Sequence, residues 1–473
     1  MNSYILPIAN AVKGGQKTAA AFVEEALSRA EAAKEYNTLI SLTAERARAR
    51  AKEVDVAIKK GEDVGALAGV PFIAKDNFLT FDGETTAASN ILKGFKAPYQ
   101  GTVIERLEAA GAICIGKANL DAFAHGSSTE NSDFGPTLNP RGKDYVPGGS
   151  SGGSAASVAL DIAPFALGTD TGGSIRLPAS YCGVVGYKPS YGRVSRFGVV
   201  AMASSTDVVG TLTRTVEDAA VVLDIIAGRD ERDATTIEPE PHSYATGASK
   251  KEPIAKRKIG VIKEFMSDHV EAETRKLIEK KLDAFRQAGH TVEEVSLPAT
   301  ELSLAIYYVV VPAEVSSNLA RYDGVRYGFS DPAATTLSET YEGTRSNGFN
   351  DENIRRVMIG NYVLSSGYYD AYYRRAQTAR TLLVEEFKKA YETYDVLVGP
   401  SAPGTAFRFG EKSDPLTMYL TDVMTVSASL AGLPAVSVPA GDVQGMPAGL
   451  QIIGAYGNDQ AVLELARETE RTA

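Results

Sequence analysis

Residues 147–186 read PGGSSGGSAASVALDIAPFALGTDTGGSIRLPASYCGVVG, and the fold is inferred outward from this stretch. Its two glycine-serine clusters, at 148–154 and 168–174, alternate with apolar segments at 155–160 and 162–167. A flexible glycine-serine linker would lack such apolar segments. We therefore expect this stretch to be folded, with glycines that let the backbone approach a ligand closely.

The first cluster formally matches the nucleophile elbow G-x-S-x-G at Gly148, Ser150 and Gly152. That motif needs a preceding strand and a later histidine, but residues 144–147 form a poor strand and His125 precedes the serine. The other three histidines lie in polar or connecting segments: His242, His269 and His290. A phosphate-binding loop is also disfavoured, because Gly-Lys-Ser/Thr is missing. A plain glycine turn is the remaining alternative, although it explains poorly why serines alternate with paired glycines.

The second cluster places Ser174 directly after Thr171-Gly172-Gly173. Consecutive backbone N–H groups with little steric cover could stabilise an oxyanion. A serine that follows them is placed to attack the same carbonyl. The alternative is a tight turn with a capping serine, and the local sequence does not separate the two.

Lys75 ends the apolar segment 69–75, which we predict to be a short strand. A lysine in this place is often a solvated residue at the rim of a sheet. Its apolar neighbours instead favour burial, which would lower its pKa from about 10.4 towards neutrality and make the amine a usable base. Asp76 would face the opposite side of the strand.

The composition is that of a globular protein of 473 residues, with a net charge of −10. An acidic chain has no general attraction for nucleic acid, so we expect a partner to hold most of any RNA. Cys114 and Cys182 are predicted to be reduced core thiols, and no Cys/His cluster suggests zinc. Neither a secretory signal nor an uncharged apolar run of membrane-spanning length is evident, which favours a cytoplasmic protein.

Alternating strand and helix patterns predict the α/β class. A helix is predicted from Thr18, and a strand at 258–262, a helix at 273–288 and a strand at 291–295 form a β–α–β unit. The pattern from about 302 to 391 is mainly helical, and further apolar strands follow. We expect one large α/β unit with a mixed sheet between helices.

Taken together, these segments resemble the amidase signature family. The resemblance rests on the order of Lys75, the first cluster, Gly-Thr-Asp-x-Gly-Gly-Ser-Ile-Arg at 168–176 and Cys-Gly-Val-Val-Gly-Tyr-Lys-Pro at 182–189. It implies an α/β fold in which a large mixed β-sheet is sandwiched between α-helices. It also implies one domain over 1–473, whose helical region at about 302–391 faces the substrate pocket and partners.

Three further segments, at 126–132, 191–196 and 365–373, resemble one branch of that family, the A subunits of tRNA-dependent amidotransferases. This resemblance implies a glutaminase that supplies ammonia to convert Glu-tRNA(Gln) or Asp-tRNA(Asn) to the amidated form. The partners would be a B subunit, which holds ATP, Mg and most of the tRNA, and a small C subunit. No cofactor is expected in this chain and no membrane is involved.

The family mechanism implies the catalytic roles. Neutral Lys75 would accept a proton from Ser150, Ser150 would accept one from Ser174, and Ser174 would attack the amide carbon of glutamine. The N–H groups of Thr171, Gly172 and Gly173 would hold the oxyanion. The Gly149–Ser150 peptide would be cis.

The resemblance also implies a substrate pocket. It points to Arg355 for the α-carboxylate of glutamine, Asp422 for the α-ammonium and Tyr307 for the pocket wall. Arg356 and Tyr308 are the adjacent alternatives. A metal site is not expected.

Two other functions compete with the glutaminase subunit. A stand-alone amidase that acts on a small carboxamide would use the same Lys-Ser-Ser set, and only the Arg/Asp pair and a need for partners would tell the two apart. A catalytically silent scaffold is the other alternative, and the intact Lys75, Ser150 and Ser174 argue against it.

Overall fold

A mixed β-sheet runs through the computed structural model, which describes residues 3–249 and 254–471. Within these ranges the sheet has eleven strands: β1 Leu39–Leu42, β2 Pro71–Lys75, β3 Ile113–Ala118, β4 Phe165–Asp170, β5 Val185–Lys188, β6 Val208–Thr213, β7 Lys258–Ile262, β8 Thr291–Val295, β9 Val396–Pro400, β10 Ala435–Val443 and β11 Met446–Gly454. The predicted α/β fold with a large mixed sheet is confirmed.

The strand order divides the sheet into two halves. The order is β1-β3-β2-β4-β6-β5-β10-β11-β9-β7-β8, so that β1 to β6 form one half and β7 to β11 form the other. The halves meet where β5 and β10 pair antiparallel. Strands β7 and β8 pair in parallel, as the predicted β–α–β unit requires.

Helices cover both faces of the sheet. The described residues form sixteen α-helices: α1 Ile5–Lys13, α2 Ala19–Ala32, α3 Ala44–Lys59, α4 Thr102–Ala109, α5 Gly152–Ala159, α6 Arg176–Cys182, α7 Val216–Ile226, α8 Tyr244–Ser249, α9 Ala272–Gln287, α10 Ser303–Leu319, α11 Leu337–Gly348, α12 Asp351–Leu364, α13 Arg375–Tyr391, α14 Pro415–Tyr419, α15 Val426–Leu430 and α16 Asp459–Arg471. One face packs against α4, α7, α9 and α16. The other packs against α2, α3, α5 and α6 in the first half and against α10, α12, α13 and α15 in the second.

The alternation of β2 decides which way its last residue points. Phe72 and Ala74 belong to the core on the α7 face, while Ile73 belongs to the core under α5 and α6. Side chains two positions apart share a face of a strand. Lys75 therefore points to the same side as Ile73, beneath the two helices that follow the glycine-serine clusters.

The N-terminus of α2 lies where the sequence predicts it. Thr18 caps α2 as predicted, since its hydroxyl accepts a hydrogen bond of 3.1 Å from the Ala21 amide.

Among the described residues, one helical segment, Pro298–Leu319, is long and apolar enough to cross a membrane. More than half of it is buried inside the fold, where it packs as a core helix.

Candidate active site

Lys75 lies at the carboxyl end of β2 and is completely buried. Its Nζ is 2.8 Å from Oγ of Ser150 and 2.9 Å from Oγ1 of Thr169. Asp76 turns to the opposite side, as predicted, where a carboxylate oxygen lies 3.0 Å from Nζ of Lys117. The lysine amine thus contacts a serine of the first cluster instead of its neighbouring carboxylate.

Burial controls the charge of this lysine. It lowers the pKa of Lys75 to about 7, while the more distant carboxylates of Asp121, Asp170 and Asp207 act in the opposite direction. This direction is the one expected from the apolar neighbours of Lys75. A substantial fraction of the amine is therefore neutral near pH 7 and able to accept a proton.

The two glycine-serine clusters meet at this amine. The Gly149–Ser150 peptide is cis, as predicted, and α5 begins two residues after Ser150. The Ser151 amide donates a hydrogen bond of 3.1 Å to the Ser174 carbonyl, which ties the clusters together. Ser174 is only 8% exposed, and within the described chain no hydrogen bond joins its hydroxyl to that of Ser150. The lysine–serine contact is formed, and the serine–serine contact is not.

The loop before Ser174 offers free backbone amides. In the described parts of the chain, no hydrogen bond engages the N–H groups of Gly172 or Gly173. A Cβ at Gly172 would come 2.7 Å from the Tyr307 hydroxyl, and Gly173 has φ +150° and lies against Thr425. Glycine is therefore required at both positions. The third amide of the predicted oxyanion hole, that of Thr171, begins the same loop.

Polar side chains hold this loop in place. The Thr171 hydroxyl donates to Asp207 over 2.7 Å, and the Thr425 hydroxyl donates to the Gly172 carbonyl over 2.7 Å. Behind the loop, Arg176 and Asp170 form a fully buried, two-point ion pair with distances of 3.0 and 2.9 Å. The amides are thus preorganised before any substrate arrives.

Asp422 lies close to this loop on a short 3₁₀ turn after α14. It is buried, and its carboxylate accepts a hydrogen bond of 2.6 Å from the Ser127 hydroxyl. Burial raises the pKa of Asp422 to about 7, and Arg356 opposes that rise. A bound ammonium group would favour the charged carboxylate.

The structure places the two neighbouring arginines differently. Arg355, the first choice from the sequence, is 42% exposed, and its guanidinium pairs with Glu352. Arg356 is buried, and its Nε donates to Glu352 over 2.8 Å. Successive helical residues are rotated by about 100°, so only one of the two faces the core. The charge of Arg356 acts on Asp422, where it opposes the rise in pKa.

Tyr307 and Tyr308 occupy different places. Tyr307 is buried on α10, with its ring against Gly172. Tyr308 stacks on Tyr419 with ring centroids 3.8 Å apart, and the Arg356 guanidinium lies 5.4 Å from the Tyr308 ring. Tyr307 thus borders the amide loop, while Tyr308 supports the arginine.

Several residues of the site were missed from the sequence. Ser127 lies in the segment 126–132 that carried the resemblance, but nothing in the sequence pointed from it to Asp422, 295 positions away. Thr169 and Thr425 were missed for the same reason, because each acts through a partner on another element. Glu352 was also missed, although its partner Arg356 lies four residues along the same helix.

A cavity of about 920 Å³ borders the site without containing it. It is lined by Leu420, Val423 and Met424, on either side of Asp422, and by Tyr181. Neither Ser150 nor Ser174 lines it. The two serines therefore lie outside this cavity.

The chain is similar to known proteins over most of its length. The family model described as "Amidase" matches residues 21–463. The A subunit of the glutamyl-tRNA(Gln) amidotransferase of Geobacillus thermodenitrificans is 50% identical over 451 residues, which cover 95% of this chain and 93% of that protein. The corresponding protein of Symbiobacterium thermophilum is 51% identical over 456 residues, or 96% and 93% of the two chains.

A solved structure is similar over the same length. The crystal structure of the glutamyl-tRNA(Gln) amidotransferase A subunit from Thermotoga maritima superposes with a TM-score of 0.80 at 39% identity. It covers 96% of this chain and 92% of its own.

Proposed function

Since the chain belongs to the amidase family, and within it to the glutamyl-tRNA(Gln) amidotransferase A subunits, we propose that it is the glutaminase subunit of a tRNA-dependent amidotransferase. It hydrolyses glutamine through an acyl-enzyme and supplies the ammonia for amidation of Glu-tRNA(Gln) or Asp-tRNA(Asn). The observation that carries this proposal is a buried lysine of lowered pKa in contact with Ser150, next to Ser174 and the free glycine amides.

The proposed reaction begins with proton transfer along the three side chains. Neutral Lys75 takes a proton from the Ser150 hydroxyl, which takes one from Ser174 as the Ser174 oxygen attacks the side-chain amide carbon of glutamine. The C–N bond then breaks, and the proton returns through Ser150 to the departing nitrogen, which leaves as ammonia. Water attacks the resulting ester, and glutamate is released.

The amides of Thr171, Gly172 and Gly173 stabilise the negative charge that develops on the carbonyl oxygen. Two of them have no competing hydrogen bond in the described residues, and the loop that carries them is held by Asp207 and Thr425. Donors fixed before the reaction cost no reorganisation when the charge appears.

The proposed substrate site binds the two charges of free glutamine. Arg356 takes the α-carboxylate and Asp422 the α-ammonium, while Tyr307 forms the wall next to the amide loop. Glu352 aligns the arginine from behind, and Ser127 aligns the aspartate. This pair of opposite charges favours glutamine over the runner-up substrate, a small carboxamide without charged groups.

Arg356→Lys should lower kcat/KM for glutamine by about 10- to 100-fold, because lysine keeps the charge but loses the planar fork that binds a carboxylate at two points. Arg355→Lys is the matched control and should change kcat/KM by less than about threefold. Steady-state kinetics on both variants measure the difference. A larger loss of kcat/KM in the Arg355→Lys variant would assign the α-carboxylate to Arg355 instead.

Activity should decline as the pH falls below about 7. Lys75 has a lowered pKa of about 7 and becomes protonated, hence inactive as a base, below that pH, while Asp422 has a raised pKa of about 7 and loses its charge there. A simple carboxamide needs the lysine but not Asp422, so its pH profile isolates Lys75. If the activity on both substrates declined only near pH 5, Lys75 would not be the group whose protonation limits the rate.

Partners complete the proposed activity. A B subunit would hold ATP, Mg and most of the tRNA, and a C subunit would join the two. The net charge of −10 fits a chain that leaves the tRNA to its partner, and the proposed location is the cytoplasm. No nucleotide-binding residue is proposed for this chain.

The deciding experiment measures ammonia release from glutamine by the full chain, with and without B and C subunits from a related amidotransferase. We expect weak hydrolysis by the chain alone and a sharp rise with the partners, together with amidation of Glu-tRNA(Gln) or Asp-tRNA(Asn) when ATP and Mg are added. Fast, partner-independent hydrolysis of other amides, with glutamine ignored, would favour the stand-alone amidase.

A further inference from the structure

A hydrogen bond between two buried side chains joins α12 to the loop that carries Ser127. The side-chain nitrogen of Asn353 donates to the Ala122 carbonyl over 3.0 Å and lies 2.7 Å from Nδ1 of His125. A carbonyl can only accept, which identifies this atom as the NH₂ group. Nδ1 of His125 is therefore the acceptor, and the ring proton is on Nε2.

Both partners are completely enclosed, and His125 stays neutral. Burial, with a smaller contribution from Arg356, holds the pKa of His125 well below its ordinary value. Within the described residues its Nε2 has no hydrogen-bond partner. The neutral ring therefore keeps its acceptor nitrogen towards Asn353.

This contact belongs to a closed ring of contacts, called the circuit below, that links Asp422 to Arg356. These are the two side chains proposed to bind the charges of the substrate. His125 is two residues before Ser127, which donates to Asp422. Tyr419, three residues before Asp422, donates over 3.0 Å to the Glu352 carboxylate, which in turn holds Arg356. Glu352, Asn353 and Arg356 are all on α12, so the circuit returns to the helix from which it began.

The circuit fixes the position of the Arg356 guanidinium relative to the Asp422 carboxylate. One connection between them runs through Glu352 and Tyr419, and the other runs through Asn353 and His125. Without the His125 contact, only the Asn353–Ala122 hydrogen bond holds the loop to the arginine helix at this point, and the side chain two residues before Ser127 is no longer held. A zwitterionic ligand, whose two charges have a fixed separation, senses such a shift more than an uncharged ligand does.

We propose that the Asn353–His125 hydrogen bond positions Asp422 relative to Arg356 and thereby selects free α-amino acids that carry a side-chain amide over simple carboxamides. His125 and Asn353 are positioning residues in this scheme and touch neither the substrate nor the reacting atoms. The inference rests on the proposed glutaminase function and specifies how its substrate class is chosen.

The test compares His125→Leu with His125→Asn in the full chain assembled with its partners. Leucine removes the acceptor, whereas the asparagine carbonyl oxygen can stand close to the position of Nδ1 and accept from Asn353. We expect His125→Leu to raise KM for glutamine about tenfold, with a much smaller change in kcat, as expected for a lost buried hydrogen bond that aligns the site. His125→Asn should recover most of that loss. Met358→Ala, at an exposed position on the same helix, controls for general effects on α12.

Substrate selectivity is the measurement that a purely structural role of His125 would leave unchanged. The ratio of kcat/KM for glutamine to kcat/KM for propionamide should fall about tenfold in His125→Leu and return in His125→Asn. An equal loss on both substrates, or an unchanged KM, would overturn the positioning role while the glutaminase proposal stands. If the unaltered protein releases no ammonia from glutamine, both proposals fail together.

Discussion

Ser174→Ala should abolish glutamine hydrolysis, with kcat reduced by about 10⁴-fold or more. The proposed mechanism has one nucleophile, and alanine cannot form the acyl-enzyme. Ser150 cannot take over, because it is fully buried in contact with Lys75. The free amides of Gly172 and Gly173 remain in the variant, so any residual rate reports what binding and oxyanion stabilisation achieve without covalent chemistry. Ammonia release and trapping of the acyl-enzyme are the measurements.

Ser157→Ala is the matched control for this variant. Ser157 is a buried serine of α5, and its hydroxyl has no hydrogen-bond partner in the described residues. Its loss should change neither kcat nor the melting temperature appreciably. A Ser174→Ala protein that still forms an acyl-enzyme would show that another residue is the nucleophile.

Lys75→Met should lower kcat by about 10³-fold or more, because the variant has no group to accept the serine proton. The methionine side chain fills a similar volume and carries no charge. Since a buried amine is costly to desolvate, the variant should be at least as stable as the unaltered protein. Steady-state kinetics and thermal melting, done together, separate loss of the base from loss of the fold.

A second buried lysine gives this prediction a sharp control. Lys188 is also fully buried, and burial lowers its pKa to about 7 as well. Its Nζ donates a hydrogen bond of 3.1 Å to the Pro189 carbonyl, and among the described residues it donates none to a serine. Lys188→Met should therefore keep kcat within about tenfold of the original value. Equal losses in the two variants would mean that Lys75 acts through the fold and not as the base.

Local patterns were informative for part of the reacting half of the site. The apolar residues at 72–74 indicated that Lys75 would be buried, strand alternation placed Asp76 on the opposite side, and the glycines at 172 and 173 indicated exposed amides. Both features depend on neighbours within a few residues, where strand periodicity and glycine conformation act directly. The contact between Lys75 and Ser150 was implied by the family resemblance and not by these patterns.

The substrate half could not be predicted to the same depth. The choice between Arg355 and Arg356 depends on the rotation of α12 about its axis, which polar residues on both sides leave undetermined. The Ser127–Asp422 and His125–Asn353 contacts join segments more than 200 residues apart, and no local pattern records such pairs. Tertiary packing decides them.

The division of the sheet at β5 and β10 has a consequence for the evolution of substrate preference. Lys75, Ser150, Ser174 and the glycine amides come from the first half of the chain, whereas Tyr307, Arg356 and Asp422 come from the second. Under the proposed mechanism, mutations of Tyr307, Arg356 or Asp422 would change which amide is accepted while Lys75, Ser150 and Ser174 stay in place. We therefore expect members of this family to diverge in substrate mainly through the second half of the chain.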